Sequence, residues 1–271
     1  NYWVAVGVMA GFCQGGGVGK CLAEWIIDGE PSIDVWAMDV ARFGDYASPQ
    51  YGTIKSSENY ERRFIMTFPN ETLPKGRKQK TTALYDRFVN QGAVMGDAFG
   101  LESVLWFAKN KEDAHEEPTI KRSRSHNYVS KEVINVRENV GAIEVANFSK
   151  HEFKGPDARK FLDYVMAGRL PKPGRISLTP MLTKKGKLYG DLTVACMDEN
   201  EFMIFGSGTA QEMHRRWFET HMGKFNLSYK NRSDELHGIG IAGPKSRDLL
   251  QKIVREDVSN NKFKFRDSRK M

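Results

Sequence analysis

The chain has 271 residues, 40% of them hydrophobic and 28% charged, and its formal net charge is +7. This length allows one large domain or two ordinary ones, and no apolar run approaches the roughly 20 residues that a membrane-spanning helix needs. The basic residues are spread among 34 acidic ones, and the tightest basic cluster, IKRSRSH at 120–126, has no aromatic side chain to stack on bases, which argues against nucleic-acid binding.

The first 30 residues predict a strand, a glycine loop and a helix. YWVAVGV, at 2–8, is an apolar run of strand length, and the apolar residues after Val18 recur at helical spacing. Between them lies CQGGGVGKC, at 13–21, which matches neither a P-loop nor a Rossmann fingerprint. Free amides at the start of the helix would attract an anionic or electron-rich ligand group. The alternative is a tight turn whose glycines only allow close packing.

The next hundred residues contain turns, helices and a polar connection. Turns are predicted at 68–79 and 90–100, with helical pieces at 56–68 and 82–92. The stretch 109–125 is polar, charged and interrupted by a proline. It indicates an exposed connection and a domain boundary.

From residue 131 onward the sequence alternates between strand and helix patterns. AIEVANFSKHEFKG, at 142–155, alternates like a hairpin, and three strand-like runs lie between residues 175 and 208. This order indicates an α+β fold of hairpins that carry short helices. Further helices are predicted in VINVRENVG, PDARKFLDYVMAG, TAQEMHRRWFETHM and PKSRDLLQKIV, and a further strand in ELHGIGIAG.

Cysteine and histidine spacings predict no metal site. Cys13, Cys21 and Cys196 are too few and too scattered for a disulfide framework or a zinc site, and a reducing compartment is the natural inference. His214 and His221 are two helical turns apart, which is too far for one metal ion. The six histidines are therefore interpreted as surface or core residues.

Five sequence blocks carry a family resemblance. In chain order they are GGGVGKCLAEWIIDGEPSIDVWAMDVARFGDY, GPDARKFLDYV, MLTKKGKLYGDLTV, EFMIFGSG and DELHGIGIAGPKSRDLLQKI. With these blocks the whole chain resembles the middle of the dimethylglycine and sarcosine dehydrogenase family, in which an FAD-binding domain is fused to a folate-binding domain similar to the T-protein of the glycine cleavage system.

The resemblance implies an internal segment of a longer protein with three parts. Residues 1–45 would be the C-terminal part of an FAD-binding α/β oxidoreductase domain, and residues 46–130 a connecting domain. Residues 131–271 would be the N-terminal half of the T-protein-like, aminomethyltransferase-type α+β domain. The family's connecting-domain motif is present in part as GLESVLWF, with Glu102 and Trp106 kept, and packing is a simpler role for them than catalysis.

The resemblance also implies residues for two cofactors, FAD and tetrahydrofolate. An incomplete FAD site would be formed by Gly15, Gly16, Gly17, Val18, Gly19 and Lys20. A folate pocket would be lined by Met181, Leu182, Tyr189, Ser207 and Gly208. Asp191, in KGKLYGDLTV, is the expected catalytic carboxylate, which would orient N5 of tetrahydrofolate and stabilise positive charge there. Without the resemblance, Asp191 reads as a strand-edge turn residue.

The activity implied is that of an oxidoreductase. It would oxidise an N-methylated glycine, dimethylglycine or sarcosine, and pass the one-carbon unit to tetrahydrofolate. An electron-transfer flavoprotein or oxygen would accept the electrons, in the bacterial cytoplasm or the mitochondrial matrix. Two alternatives remain: a folate-binding module without oxidoreductase activity, and an inert segment.

Overall fold

The computed structural model describes residues 2–69 and 71–271, which form two compact units that divide after Arg42. The first unit contains α1 (Gly11–Asp28) and single 3₁₀ turns at Trp36–Met38 and Val40–Arg42. Helix α1 ends at Gly29, whose left-handed conformation (φ 82°) lets its amide donate to the carbonyl of Trp25.

The helix predicted after Val18 is confirmed as part of α1, whereas the predicted strand and glycine loop before it are wrong. Residues 2–8 are in no strand, and the glycine stretch 15–20 lies inside α1. A strand needs a neighbour for its backbone N–H and C=O groups, and the described residues of this unit provide no other strand. A helix satisfies these groups internally. Glycines lower its stability but do not prevent it.

The second unit begins with two helices and a hairpin: α2 (Pro49–Glu61), α3 (Tyr85–Asn90), β1 (Ala93–Ala98) and β2 (Leu101–Phe107). Ser48 caps α2, because its Oγ accepts from the amide of Tyr51 at 3.2 Å. The helix therefore begins earlier than predicted, and residues 62–68 lie outside it.

The turn predicted at 90–100 is also wrong, because most of it is strand β1. The hairpin turns at Phe99 and Gly100, which both have positive φ (53° and 79°), as a two-residue hairpin turn requires. Val94 and Trp106 pack together in a small core. Gly92 and Gly100 bracket the strand rather than break it.

The rest of the unit has the predicted α+β order, and its helices and the three strands between residues 175 and 208 are confirmed. The elements are α4 (His126–Glu138), β3 (Gly141–Glu144), β4 (Phe148–Lys154), α5 (Ala158–Val165), β5 (Arg175–Leu182), β6 (Leu188–Asp198), β7 (Glu201–Ser207), α6 (Gln211–His221), β8 (Ser228–Asn231), β9 (Ile239–Ala242) and α7 (Ser246–Gln251). The hairpin predicted at 142–155 is wrong, because its two strands join different sheets. Strand β3 pairs with β9, whereas β4 lies between β7 and β8.

The five-stranded sheet is antiparallel throughout, in the order β5-β6-β7-β4-β8. Alternate residues of β6 and β7, such as Leu192, Val194, Phe202 and Ile204, are fully buried. They form one core with side chains of α5 and α6. One face of the sheet is therefore the core face, and residues between these positions point to the other face.

Candidate functional site

Asp191 lies near the start of β6, on the face of the sheet opposite the core. It is exposed, whereas Gly190 and Leu192 on either side of it are buried. Its partner across the ladder is Pro180 of β5. Because side chains alternate along a strand, the carboxylate is directed away from the hydrophobic core and is accessible.

Ser207 belongs to the same end of the same face. Thr193 is opposite Phe205 in the ladder between β6 and β7. Asp191 and Ser207 each lie two residues beyond that last pair of the ladder. They therefore belong to the same face at the same end of the sheet. The Ser207 hydroxyl lies 2.8 Å from the hydroxyl of Thr209.

At Gly208 the backbone after β7 passes close to the backbone of Asn147. A Cβ atom at Gly208 would overlap the carbonyl oxygen of Asn147, in the turn that leads into β4. Only glycine allows the segment after β7 to lie against this turn.

The apolar residues expected in the folate pocket are not gathered around Asp191. Met181 is opposite Gly190 and fully buried in the core, on the other face of the sheet. Tyr189 lies at a bulge, where the register between β5 and β6 shifts. Its ring packs on Trp217 of α6, with centroids 4.3 Å apart. Leu182 is 36% exposed at the end of β5.

What surrounds Asp191 instead is a mixed polar and apolar surface. Thr193 and Phe205 are half-buried on the same face, and Ser207 is exposed. A carboxylate can accept hydrogen bonds from ring N–H groups and stabilise a nearby positive charge. A half-exposed aromatic ring provides an apolar contact for a flat ligand ring. These groups fit a pterin.

Lys150 is a residue at this end that sequence reasoning missed. It is opposite Phe205 in the ladder between β4 and β7, so it shares the face of Thr193, yet it is only 3% exposed. Its ammonium donates to the carbonyls of Ala146 (3.0 Å) and Phe148 (2.7 Å), and burial lowers its pKa. These two hydrogen bonds from the Lys150 ammonium stabilise the turn against which Gly208 lies. A lysine in an alternating strand is expected to be solvent-exposed, so the sequence carried no signal of this role.

Glu102 and Trp106 have structural surroundings. Glu102 is 1% exposed and accepts hydrogen bonds from Nε of Arg77 at 2.9 Å, from Nη2 of the same side chain, and from the amide of Lys78. Trp106 is buried and donates to Glu116. Asp97 is the ladder partner of Glu102. Burial and the neighbouring Glu102 carboxylate raise the pKa of Asp97. Glu102 and Trp106 thus link the hairpin to the segments that contain Arg77 and Glu116, which supports the packing role.

The glycine stretch does not fit the expected flavin contact. The amides of Gly15 to Lys20 lie well inside α1, where each donates to a carbonyl four residues earlier. These amides are therefore already paired within the helix and are not available to a ligand. The assignment of these six residues to FAD stays a prediction that the helix does not support.

No group of three or more His, Cys, Asp or Glu side chains among the described residues could hold a metal ion. No helix in the described part of the chain is long and apolar enough to cross a bilayer.

Two protein-family models match consecutive parts of the chain. The GCVT N-terminal domain model matches residues 84–271, and the FAD dependent oxidoreductase central domain model matches residues 28–82. Human mitochondrial dimethylglycine dehydrogenase is 36% identical over 269 residues, which are 98% of this chain and 31% of the relative. Mouse mitochondrial sarcosine dehydrogenase is 27% identical over 94% of this chain and 32% of its own length. The chain thus spans about a third of the length of these relatives.

A solved structure shows the same fold. The aminomethyltransferase T of the glycine cleavage system from Bartonella henselae superposes with a TM-score of 0.56 at 18% identity, over 70% of this chain and 47% of that one. At this identity the likeness concerns the fold alone.

Proposed function

Since this chain belongs to the GCVT N-terminal domain family, whose model matches residues 84–271, we propose that the sheet end around Asp191 binds tetrahydrofolate for one-carbon transfer. The resemblance to dimethylglycine and sarcosine dehydrogenases that the sequence predicted is confirmed. The observation that supports the site is that an exposed carboxylate, a hydroxyl and a half-buried aromatic ring lie at one end of one sheet face, opposite the core.

Asp191 has two tasks in this proposal. Its carboxylate accepts a hydrogen bond from the reduced pterin ring and so fixes the position of N5. When the one-carbon donor approaches, the same negative charge stabilises the positive charge that develops at this nitrogen. Tetrahydrofolate, when bound, supplies the nucleophilic nitrogen.

Neighbouring residues shape the site. Phe205 offers an apolar contact to the ring, and Ser207 offers a hydroxyl at the same end of the sheet as the carboxylate. Lys150 and Gly208 fix the turn that borders the site, through the hydrogen bonds and the close approach described above.

For the whole protein, we propose a flavin-dependent dehydrogenase of N-methylated glycines. The relatives that span this chain are named dimethylglycine dehydrogenase and sarcosine dehydrogenase, and both names carry a mitochondrial location. Bound FAD would oxidise the N-methyl group, with an electron-transfer flavoprotein or oxygen as the acceptor. Transfer to tetrahydrofolate near Asp191 would keep a reactive iminium from hydrolysing to formaldehyde. The division into 1–45, 46–130 and 131–271 belongs to the same proposal.

A calorimetric titration tests the folate site. Tetrahydrofolate is titrated into the 271-residue chain and into its Asp191→Ala and Asp198→Ala variants. Asp198 is a matched control, because it is exposed at the other end of the same strand. We expect the affinity to fall about tenfold or more in Asp191→Ala, the equivalent of one charge-assisted hydrogen bond, and to be unchanged in Asp198→Ala. Equal affinities in all three proteins would contradict the proposal.

A further inference from the structure

Three polar side chains are buried on the core face of the five-stranded sheet. Ser149 and His151 belong to β4 and His214 to α6, and their exposures are 0%, 0% and 2%. One atom of each has no hydrogen-bond partner among the described residues: Oγ of Ser149, Nε2 of His151 and Nδ1 of His214. Buried polar atoms of native proteins are nearly always paired with protein or with ordered water.

Two of these atoms, Oγ of Ser149 and Nδ1 of His214, lie near Gly206, which is opposite Ser149 in the ladder. A Cβ atom at Gly206 would lie 3.1 Å from Oγ of Ser149 and 3.2 Å from Nδ1 of His214. The two imidazole rings are 6.3 Å apart, centroid to centroid. Nδ1 of His151 contacts the Tyr229 hydroxyl of β8 at 2.9 Å, so Nε2 of that ring is directed away from β8, towards β7 and α6.

The hydrogen-bond partners fix where each imidazole carries its proton. Burial raises the pKa of Tyr229, so its hydroxyl keeps its proton. Nδ1 of His151 is the only hydrogen-bond partner of this hydroxyl among the described residues, so we assign the hydroxyl as the donor and Nδ1 as the acceptor, because the opposite direction would leave the buried hydroxyl proton without an acceptor. His151 then carries its own proton on Nε2. The ring of His214 has a hydrogen bond with the backbone of Tyr189 that favours the protonated nitrogen, so Nε2 donates there and Nδ1 is an acceptor. Burial lowers the pKa of His151 to about 3 and that of His214 to about 4, which keeps both rings neutral.

We propose that Ser149, His151 and His214 hold one internal water molecule between β4 and α6, and that through it His214 is a positioning residue for Asp191. The water accepts from Nε2 of His151 and from the Ser149 hydroxyl, and donates to Nδ1 of His214. Three hydrogen bonds are typical of a buried water. This arrangement pairs all three atoms and leaves no donor facing a donor.

The link to Asp191 runs through the bulge at the start of β6. Nε2 of His214 bonds to the backbone at Tyr189, which is at the bulge, and a Cβ atom at Gly190 would lie 2.9 Å from that nitrogen. The imidazole therefore lies directly against the two residues that precede Asp191. Bulges reorient the side chains that follow them. This second part of the inference rests on the proposed function, whereas the water site does not.

Imidazole NMR tests the water site. In the ¹⁵N-labelled chain at pH 7, we expect both rings to be neutral with the proton on Nε2, and the ring N–H of His151 to show a cross-peak to a long-lived water. Ser149→Ala should weaken that cross-peak and leave both protonation sites in place, because it removes one of three partners. A proton on Nδ1 of His151, or an N–H of that ring without a water cross-peak in the wild-type chain, would overturn the inference.

Tetrahydrofolate binding tests the positioning role. His214→Gln keeps a donor for the Tyr189 carbonyl, whereas His214→Leu removes it at similar volume. We expect about a tenfold loss of affinity in His214→Leu, the equivalent of one misplaced hydrogen bond, and substantial recovery in His214→Gln. Equal affinities in both variants and the wild type would overturn the positioning role. A wild-type chain that binds no tetrahydrofolate would instead refute the proposed function, and the imidazole spectra would still decide the water site.

Discussion

Asp191 is accessible because successive side chains of its strand point to opposite faces of the sheet. Its neighbours Gly190 and Leu192 are buried, so a shift of one residue in the register would exchange the carboxylate for an apolar side chain. The sequence identified Asp191 through a family resemblance, and the structure places its carboxylate on an open surface. The sequence did not predict that Met181 would be core, because a methionine next to a proline in a strand has no intrinsic face.

Glu102 matches a motif of the family, but its contacts give it a structural role and do not require a catalytic one. We expect Glu102→Gln to lower the free energy of unfolding by about 2 kcal/mol, because it leaves the partly buried guanidinium of Arg77 without its counter-charge. The measurement is urea denaturation, and Glu117→Gln is the control, since the Glu117 side chain is 62% exposed. Unchanged stability in Glu102→Gln would contradict the packing role.

At the level of elements, the sequence predicted most helices and strands in residues 131–271. In the first hundred residues each predicted helix overlaps α1, α2 or α3, whereas strand β1 was predicted as a turn. Alternating runs such as EFMIFGS identify strands because one face is buried. Pairing partners are not encoded in such patterns. Strands β3 and β4 lie close in the chain yet join different sheets. His151 of β4 pairs with Asn231 of β8, 80 residues later, and Gly141 of β3 pairs with Ala242 of β9, 101 residues later. The bulge that turns Tyr189 towards Trp217 has no sequence signature that the patterns detect.

Helix α1 gives a direct test of the corrected prediction for the glycine stretch. A Cβ atom at Gly16 or Gly17 meets no other atom within 4 Å. Alanine there should stabilise the helix by about 1 kcal/mol per site. We therefore expect slower amide hydrogen exchange over 11–28 in the Gly16→Ala, Gly17→Ala chain.

The control for this experiment is Gly29→Ala. Its positive φ of 82° is disfavoured for alanine, so this variant should fray the end of the helix. Faster exchange in the Gly16→Ala, Gly17→Ala chain would support a loop at residues 15–20 and contradict the helix.

The two buried histidines make the stability of the whole molecule depend on pH. Their pKa values are lowered from 6.5 to about 3 and about 4, so the unfolded chain binds more protons than the folded one below pH 6.5. The stabilisation is complete above that pH and is lost as the pH falls towards 4. Between pH 7 and pH 5 each histidine should cost about 2 kcal/mol.

Urea denaturation at a series of pH values measures this loss. His151→Phe should reduce the pH dependence by about half, because one of the two groups no longer titrates. A variant with the wild-type pH profile would show that other groups cause the acid sensitivity.

The position of the bound ligand tests the central claim most directly. We would determine a crystal structure of the chain with tetrahydrofolate. The account predicts the pterin ring on the sheet face opposite α5 and α6, with a ring nitrogen within hydrogen-bonding distance of the Asp191 carboxylate and Phe205 in contact with the ring. A pterin bound beside Tyr189 and Trp217, or elsewhere away from Asp191, would contradict it.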